Sequence, residues 1–158
     1  MTHLYRSPTC APAHLDRPSV FLAGSIEMGR AELWQPRVAQ TFLDAGAAVF
    51  DPRREDWDAG WVQDPTPGSP FETQVSWELS HLARADLVFF RITHDGPAIV
   101  SMIEMGLMIG AGRPVVIQAD PGYMRYGNIA ITARRWQVPL FEEEAPAIAC
   151  ALAPNEYV

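Results

Sequence analysis

LVFFRITHDGPAIVSMIEMGLMIGAGRPVVIQ, residues 87–118, decides the fold. Leu87–Ile92 is a six-residue apolar run, short enough to be a buried strand and flanked by turn residues. A helix is predicted over about 98–111, bounded by Gly96-Pro97 and Gly112. Pro114–Gln118 then reads as another strand. Strand, helix and strand of these lengths make a βαβ unit, which requires parallel pairing.

The same alternation extends outward. Strands are expected at 19–24 (SVFLAG), 47–50 and 138–141, and helices at 32–45, 71–84, 126–135 and 144–152. In 71–84 the apolar stripe is read as Phe71, Val75, Leu79 and Leu82. The stretch 51–70 (DPRREDWDAGWVQDPTPGSP) is a long loop, and loops of that length in small domains usually carry function. Residues 1–17 lack periodicity and read as a flexible N-terminal arm, leaving 18–158 as a single domain. The expected architecture is α/β: a flavodoxin-like, doubly wound, mainly parallel sheet of five strands flanked by helices.

Composition narrows the chemistry. The chain has 158 residues, 48% hydrophobic and 20% charged, with a formal charge of −7. That acidic balance argues against binding a nucleic acid polymer. No apolar run approaches the roughly 20 residues that span a bilayer, and 1–17 has no apolar signal core, so a cytoplasmic protein without membrane contact is expected. All 12 basic residues are arginine, which removes lysine Schiff-base chemistry and any lysine-dependent phosphate loop. Two isolated cysteines and four scattered histidines show no metal-ligand spacing. Neither a metal nor an organic cofactor is expected.

Ligands of open α/β sheets bind beyond the carboxyl ends of the strands. Gly24, Ser25, Asp51, Asp95 and Asp120 are expected there. Glu104 is the most informative residue: it is the only charged side chain between Gly96 and Gly112, on a helix read as apolar on nearly every face and therefore buried. Two readings stand. Glu104 pairs with an arginine such as Arg91 or Arg113, or it is a pocket carboxylate kept anionic by an early helical turn and suited to attack a sugar carbon. Glu78 lies at the margin of its helix's buried stripe, where it is either solvated or the second member of a carboxylate pair. The turn AGSIEMGR (23–30) has Arg30 and Ala31 in place of the Lys and Ser/Thr of a P-loop and lacks G-x-G-x-x-G, which excludes an NTPase and a dinucleotide oxidoreductase. It is a plain strand-to-helix turn or a backbone cradle for a sugar hydroxyl or a single phosphate. Trp57, Trp61 and Trp77 can stack a base or simply anchor the loop and core.

Five segments in order, FLAGSIE (21–27), DPRREDWD (51–58), QVSWELSHLARAD (74–86), SMIEMG (101–106) and YGNI (126–129), resemble the nucleoside 2-deoxyribosyltransferase family, and within it the branch whose second motif reads N-P-R-R-x-D-W-D. The resemblance runs from about residue 20 to 131. It implies transfer of 2-deoxyribose between nucleobases by double displacement at C1′, with Glu104 as nucleophile and retained configuration. It implies deoxynucleosides and free nucleobases as substrates, with Glu78 near the base and the reacting sugar. It also implies a homo-oligomer, dimer or hexamer, in which Asn128 completes a neighbour's site, and a C-terminal tyrosine at the site, a pattern from which Tyr157 is one residue off. Phe21 stands where relatives place a tyrosine that bonds the nucleophile, Asp51 where the branch has asparagine, and Ala98 where relatives place a side chain for the 5′-group, with Asp95 or Ser101 as possible substitutes. The alternatives are an N-glycosidase acting on a deoxynucleoside or its 5′-monophosphate, and a non-catalytic nucleotide-binding module.

Overall fold

The computed structural model describes residues 3–26, 32–54 and 60–153. Its strands are β1 (Leu4–Arg6), β2 (Ser19–Gly24), β3 (Ala48–Asp51), β4 (Leu87–Ile92), β5 (Val115–Ala119) and β6 (Leu140–Phe141). Its helices are α1 (Gln35–Asp44), α2 (Pro70–Arg84), α3 (Ile99–Gly110), α4 (Tyr126–Trp136) and α5 (Glu144–Leu152). All six strands lie in one parallel sheet of order β1-β3-β2-β4-β5-β6. Leaving out the edge strand β1, this is the 2-1-3-4-5 order of the flavodoxin-like fold.

Alternation along the strands builds two cores. Phe21, Ala23, Phe50, Val88, Phe90, Ile92 and Ile117 face one side with Trp77, Met105 and Ile129. Val20, Leu22, Val49, Phe89 and Val116 face the other with Val38, Phe42 and Cys150. Thus α2, α3 and α4 cover one face and α1 and α5 the other. Burial on both faces explains why the central strands read as continuous apolar runs. Local chemistry sets the helix starts. Pro36 occupies the first turn of α1, and the Ser69 hydroxyl caps α2 by accepting from the Glu72 amide at 3.0 Å.

Three expectations need correction. The sheet has six strands rather than five, because Leu4–Arg6 pairs with Val49–Asp51 and is not a loose arm. A three-residue edge strand carries too little pattern to be read from its own sequence; the open edge of β3 creates it. The buried stripe of α2 is Gln74, Trp77, His81 and Leu82, while Leu79 is 47% exposed. The N-terminal segment sits on that face: the Trp77 indole donates to the Thr9 carbonyl (3.0 Å), the Ala11 amide donates to His81 Nε2 (3.2 Å), and Arg84 donates to the Ala11 carbonyl (3.1 Å). Finally, α3 is not buried all round. Ser101, Glu104, Met105, Met108 and Ile109 face inward, whereas Ile99, Val100, Ile103 and Leu107 are 50–65% exposed.

The crossover from β3 to β4 passes over β2, so the direction in which successive strands are added to the sheet reverses between β2 and β4. This switch point is a crevice between the carboxyl ends of the two strands. Gly24 closes β2 there at φ +144, and a Cβ would lie 2.0 Å from the Arg91 carbonyl oxygen. Because that neighbour is backbone paired in register with Gly24, it cannot yield. Gly24→Ala is expected to destabilise the fold by about 3 kcal/mol or more, read as a lower urea midpoint at unchanged slope.

Candidate active site

Gly24 and Ser25 form the floor of the crevice, and Ser25 is fully buried. The Ser25 amide donates to the Arg91 carbonyl (2.9 Å), its hydroxyl accepts from the Thr93 amide (3.1 Å), and its carbonyl accepts from the Trp34 indole (3.0 Å). The Ser101 hydroxyl, in the first turn of α3, donates to the Gly24 carbonyl (2.8 Å). The turn is therefore braced internally. The Ser25 amide is taken by Arg91 and does not serve as a free phosphate donor. The Thr93 hydroxyl is buried here with no hydrogen-bond partner.

One helical turn beyond Ser101, Glu104 is 8% exposed. Among the described residues no arginine answers it. Arg91 pairs with Glu32 (2.8 Å) and Glu144, and Arg113 donates to the Ala85 carbonyl (2.6 Å), so the ion-pair reading fails. Burial, and then the charge of Glu78, push the Glu104 carboxyl up to about 8. The early-turn expectation of an anion is corrected accordingly. Glu104 is the sixth residue of α3, past the reach of the helix-terminus field, and desolvation dominates. At neutral pH the free protein holds this carboxyl protonated.

Glu78 is half-buried on α2, and burial raises it too, opposed by a hydrogen bond from Gln74. Gln74 Nε2 donates to Glu78 Oε1 at 2.7 Å and to the Pro52 carbonyl at 2.9 Å. The sequence reading missed Gln74, because a buried amide carries no apolar signal. Its i, i+4 spacing to Glu78 was the available clue.

Asp51 is 1% exposed at the end of β3, and both of its oxygens are engaged. Oδ1 accepts from the Arg53 amide (3.0 Å) and Oδ2 from Arg6 Nε (3.0 Å). Burial raises Asp51 while these donors oppose the rise. Asp51 therefore ties β1 to the loop after β3. Arg6, in a segment expected to be loose, is a second residue the sequence reading missed.

Phe21 is fully buried on β2, its ring 6.3 Å from that of Trp77, and it offers no hydroxyl to Glu104. Ala98 is buried and left-handed at φ 47 as the N-cap of α3, so the position expected to read a 5′-group has only a methyl. Asp95 is exposed beside His94 (3.7 Å), and His94 also pairs with Asp120. Ser101 is spent on Gly24. Asn128 is exposed on α4. Trp57 and Tyr157 lie outside the described residues. Hydrogen bonds thus join Gly24, Ser25, Thr93 and Ser101 at these strand ends, and the charge of Glu78 acts on Glu104 further along α3, while Asp95 and Asn128 are exposed.

Among the described residues, no group of three or more His, Cys, Asp or Glu can hold a metal ion, and no helix is long and apolar enough to cross a membrane. A buried carboxyl raised by the charge of a half-buried one suits displacement at a sugar carbon, with one group as nucleophile and the other able to handle a proton.

A solved structure of a conserved protein from Enterococcus faecalis V583 is similar over 87% of each chain at 14% identity and a TM-score of 0.47. No curated protein sequence matches the chain. The family profile described as "Nucleoside 2-deoxyribosyltransferase like" matches residues 17–123, about two thirds of the sequence and every residue of the crevice described above. The chain belongs to the nucleoside 2-deoxyribosyltransferase-like family.

Proposed function

We propose that this protein transfers 2-deoxyribose between nucleobases through a covalent deoxyribosyl-Glu104 intermediate. The observation that supports this reading is buried Glu104, under the charge of half-buried Glu78 and with no cation beside it among the described residues. In the first half-reaction the C1′–N bond of a 2′-deoxynucleoside breaks. The leaving base keeps the bonding electrons and takes the proton that the pair shares. Glu104, now anionic, forms an ester to C1′. In the second half-reaction a nitrogen of the incoming base attacks C1′, the ester breaks, and the base proton returns to the pair. Two inversions at C1′ give net retention. A missing 2′-hydroxyl destabilises the oxocarbenium-like state less, which suits a deoxy substrate. The chemistry so written uses no cofactor.

The test is chromatography of the protein with a 2′-deoxynucleoside and a different free base. A new deoxynucleoside is the expected result. Free deoxyribose with no exchange makes the protein an N-glycosidase in which water replaces the acceptor. No turnover of any deoxynucleoside or its 5′-monophosphate leaves a nucleotide-binding module.

We further propose that the working unit is a homo-oligomer whose subunits meet through α3. Its outward stripe, Ile99, Val100, Ile103, Gly106, Leu107 and Gly110, carries no charge, so a second copy of the same stripe meets no like-charge repulsion across a two-fold axis. Gly106 and Gly110 leave open space above the helix backbone for close approach. Ile103→Glu places two carboxylates at such a contact. It is expected to shift the protein to monomer in light-scattering chromatography, and an unchanged mass excludes this face.

A further inference from the structure

We propose that Gln74 is a positioning residue that holds Glu78 as the anion and thereby decides which carboxylate of the pair carries the shared proton. The geometry is specific. The Pro52 carbonyl can only accept a hydrogen bond, so the amide nitrogen of Gln74 must face it, and the same nitrogen donates to Glu78 Oε1. The amide orientation is thus set by a group that no protonation change can invert. Gln74 is 3% exposed, and its own carbonyl oxygen is buried without a partner among the described residues. That unmet acceptor is tolerated so that both donations can be made.

A donor aimed at Glu78 stabilises its carboxylate. Glu104 receives no hydrogen bond from the described residues and faces the Glu78 charge, so the proton of the pair rests on Glu104. The other charged groups at this corner are accounted for. Asp51, at the end of β3, is bound by Arg6 and by the Arg53 amide. Arg53 itself reaches the Glu32 carbonyl and the Gln35 amide oxygen. On α2, His81 is held down from its ordinary value by burial and accepts from the Ala11 amide, so it is neutral near pH 7. Among the described residues none of these donates to Glu78, so the hydrogen bond from Gln74 adds to the difference in burial between half-buried Glu78 and buried Glu104 in making the two carboxylates unequal. This inference rests on the transferase reading for its catalytic meaning: a proton kept on Glu104 guards the nucleophile until substrate takes that proton away.

The test does not need turnover. Carboxyl carbon NMR of glutamate-labelled free protein, assigned with Glu78→Gln and Glu104→Gln, follows each titration. In the wild type, Glu78 is expected to ionise at lower pH than Glu104. Gln74→Met, of equal length and without the donor, is expected to move the Glu78 titration up by about one pH unit and to transfer proton population from Glu104 to Glu78. An unchanged Glu78 titration in folded Gln74→Met overturns the proposal. So does a wild-type protein in which Glu78 ionises after Glu104, a result that requires no folded Gln74 variant. If the wild type catalyses exchange, the acid limb of its kcat/KM profile is expected to shift upward in Gln74→Met, whereas a merely structural loss lowers the profile at every pH. Failure of exchange with the titrations as expected removes the transferase reading and leaves the role of Gln74 intact.

Discussion

Base exchange is expected to fall by about 10⁴-fold or more in Glu104→Ala, because removing a nucleophile removes the whole covalent route rather than one contact. Glu104→Gln should lose as much. The amide keeps the volume and the buried setting of the resting protonated carboxyl, but it cannot become the anion that bonds C1′. The two variants together separate chemistry from packing. Rapid quenching followed by intact-protein mass measurement adds an independent reading: wild-type protein mixed with a deoxynucleoside should gain the mass of one deoxyribosyl group, and neither variant should. Exchange that survives in Glu104→Gln at more than a few per cent of the wild-type rate would assign the nucleophile elsewhere.

Stability should move in the opposite direction. Glu104 titrates at about 8 in the folded chain, against an ordinary value of 4.5 in the unfolded one. Between those two values the folded state binds the proton and the unfolded state has lost it, so stability falls as pH rises, at about 1.4 kcal/mol per pH unit at most. Below the lower value both states are protonated and the contribution vanishes; above the upper value the full penalty is present. Glu104→Gln removes the titration. The variant should match the wild type near pH 4 and exceed it by a few kcal/mol at pH 9, seen as a melting temperature higher by about 2–4 °C for each kcal/mol. A constant gap across that range would mean that Glu104 titrates alike in the folded and unfolded chain and that burial does not govern it. A stabilising change that abolishes activity is the expected mark of a carboxylate retained for chemistry at a cost to the fold.

How much of this was legible beforehand can be argued residue by residue. The segment 87–118 identified a parallel α/β sheet because strand and helix differ in length and in period, and both are local properties of the chain. Placing the site at strand ends and singling out Glu104 followed from one charge in an otherwise uncharged segment. Other features depend on what lies across space. Leu4–Arg6 is a strand because β3 has an open edge, and Arg6 matters because that pairing brings it to Asp51. The face of α2 that turns inward carries Gln74, Trp77 and His81, since these find carbonyls and an amide to bond, and this outweighs the apolar preference of Leu79. The outward half of α3 is as apolar as the inward half, and composition cannot tell a core face from a contact face.

The sequence by itself determined the class of fold and singled out Glu104 as the candidate around which a site is proposed, because hydrophobic period, turn chemistry and an isolated charge are written along the chain. Only the tertiary structure decided what surrounds that residue and shifts its carboxyl upward. Desolvation of Glu104, the field of Glu78 and the hydrogen bond from Gln74 arise between α2 and α3, whose approach is set by packing on a common sheet and not by any neighbouring position in sequence.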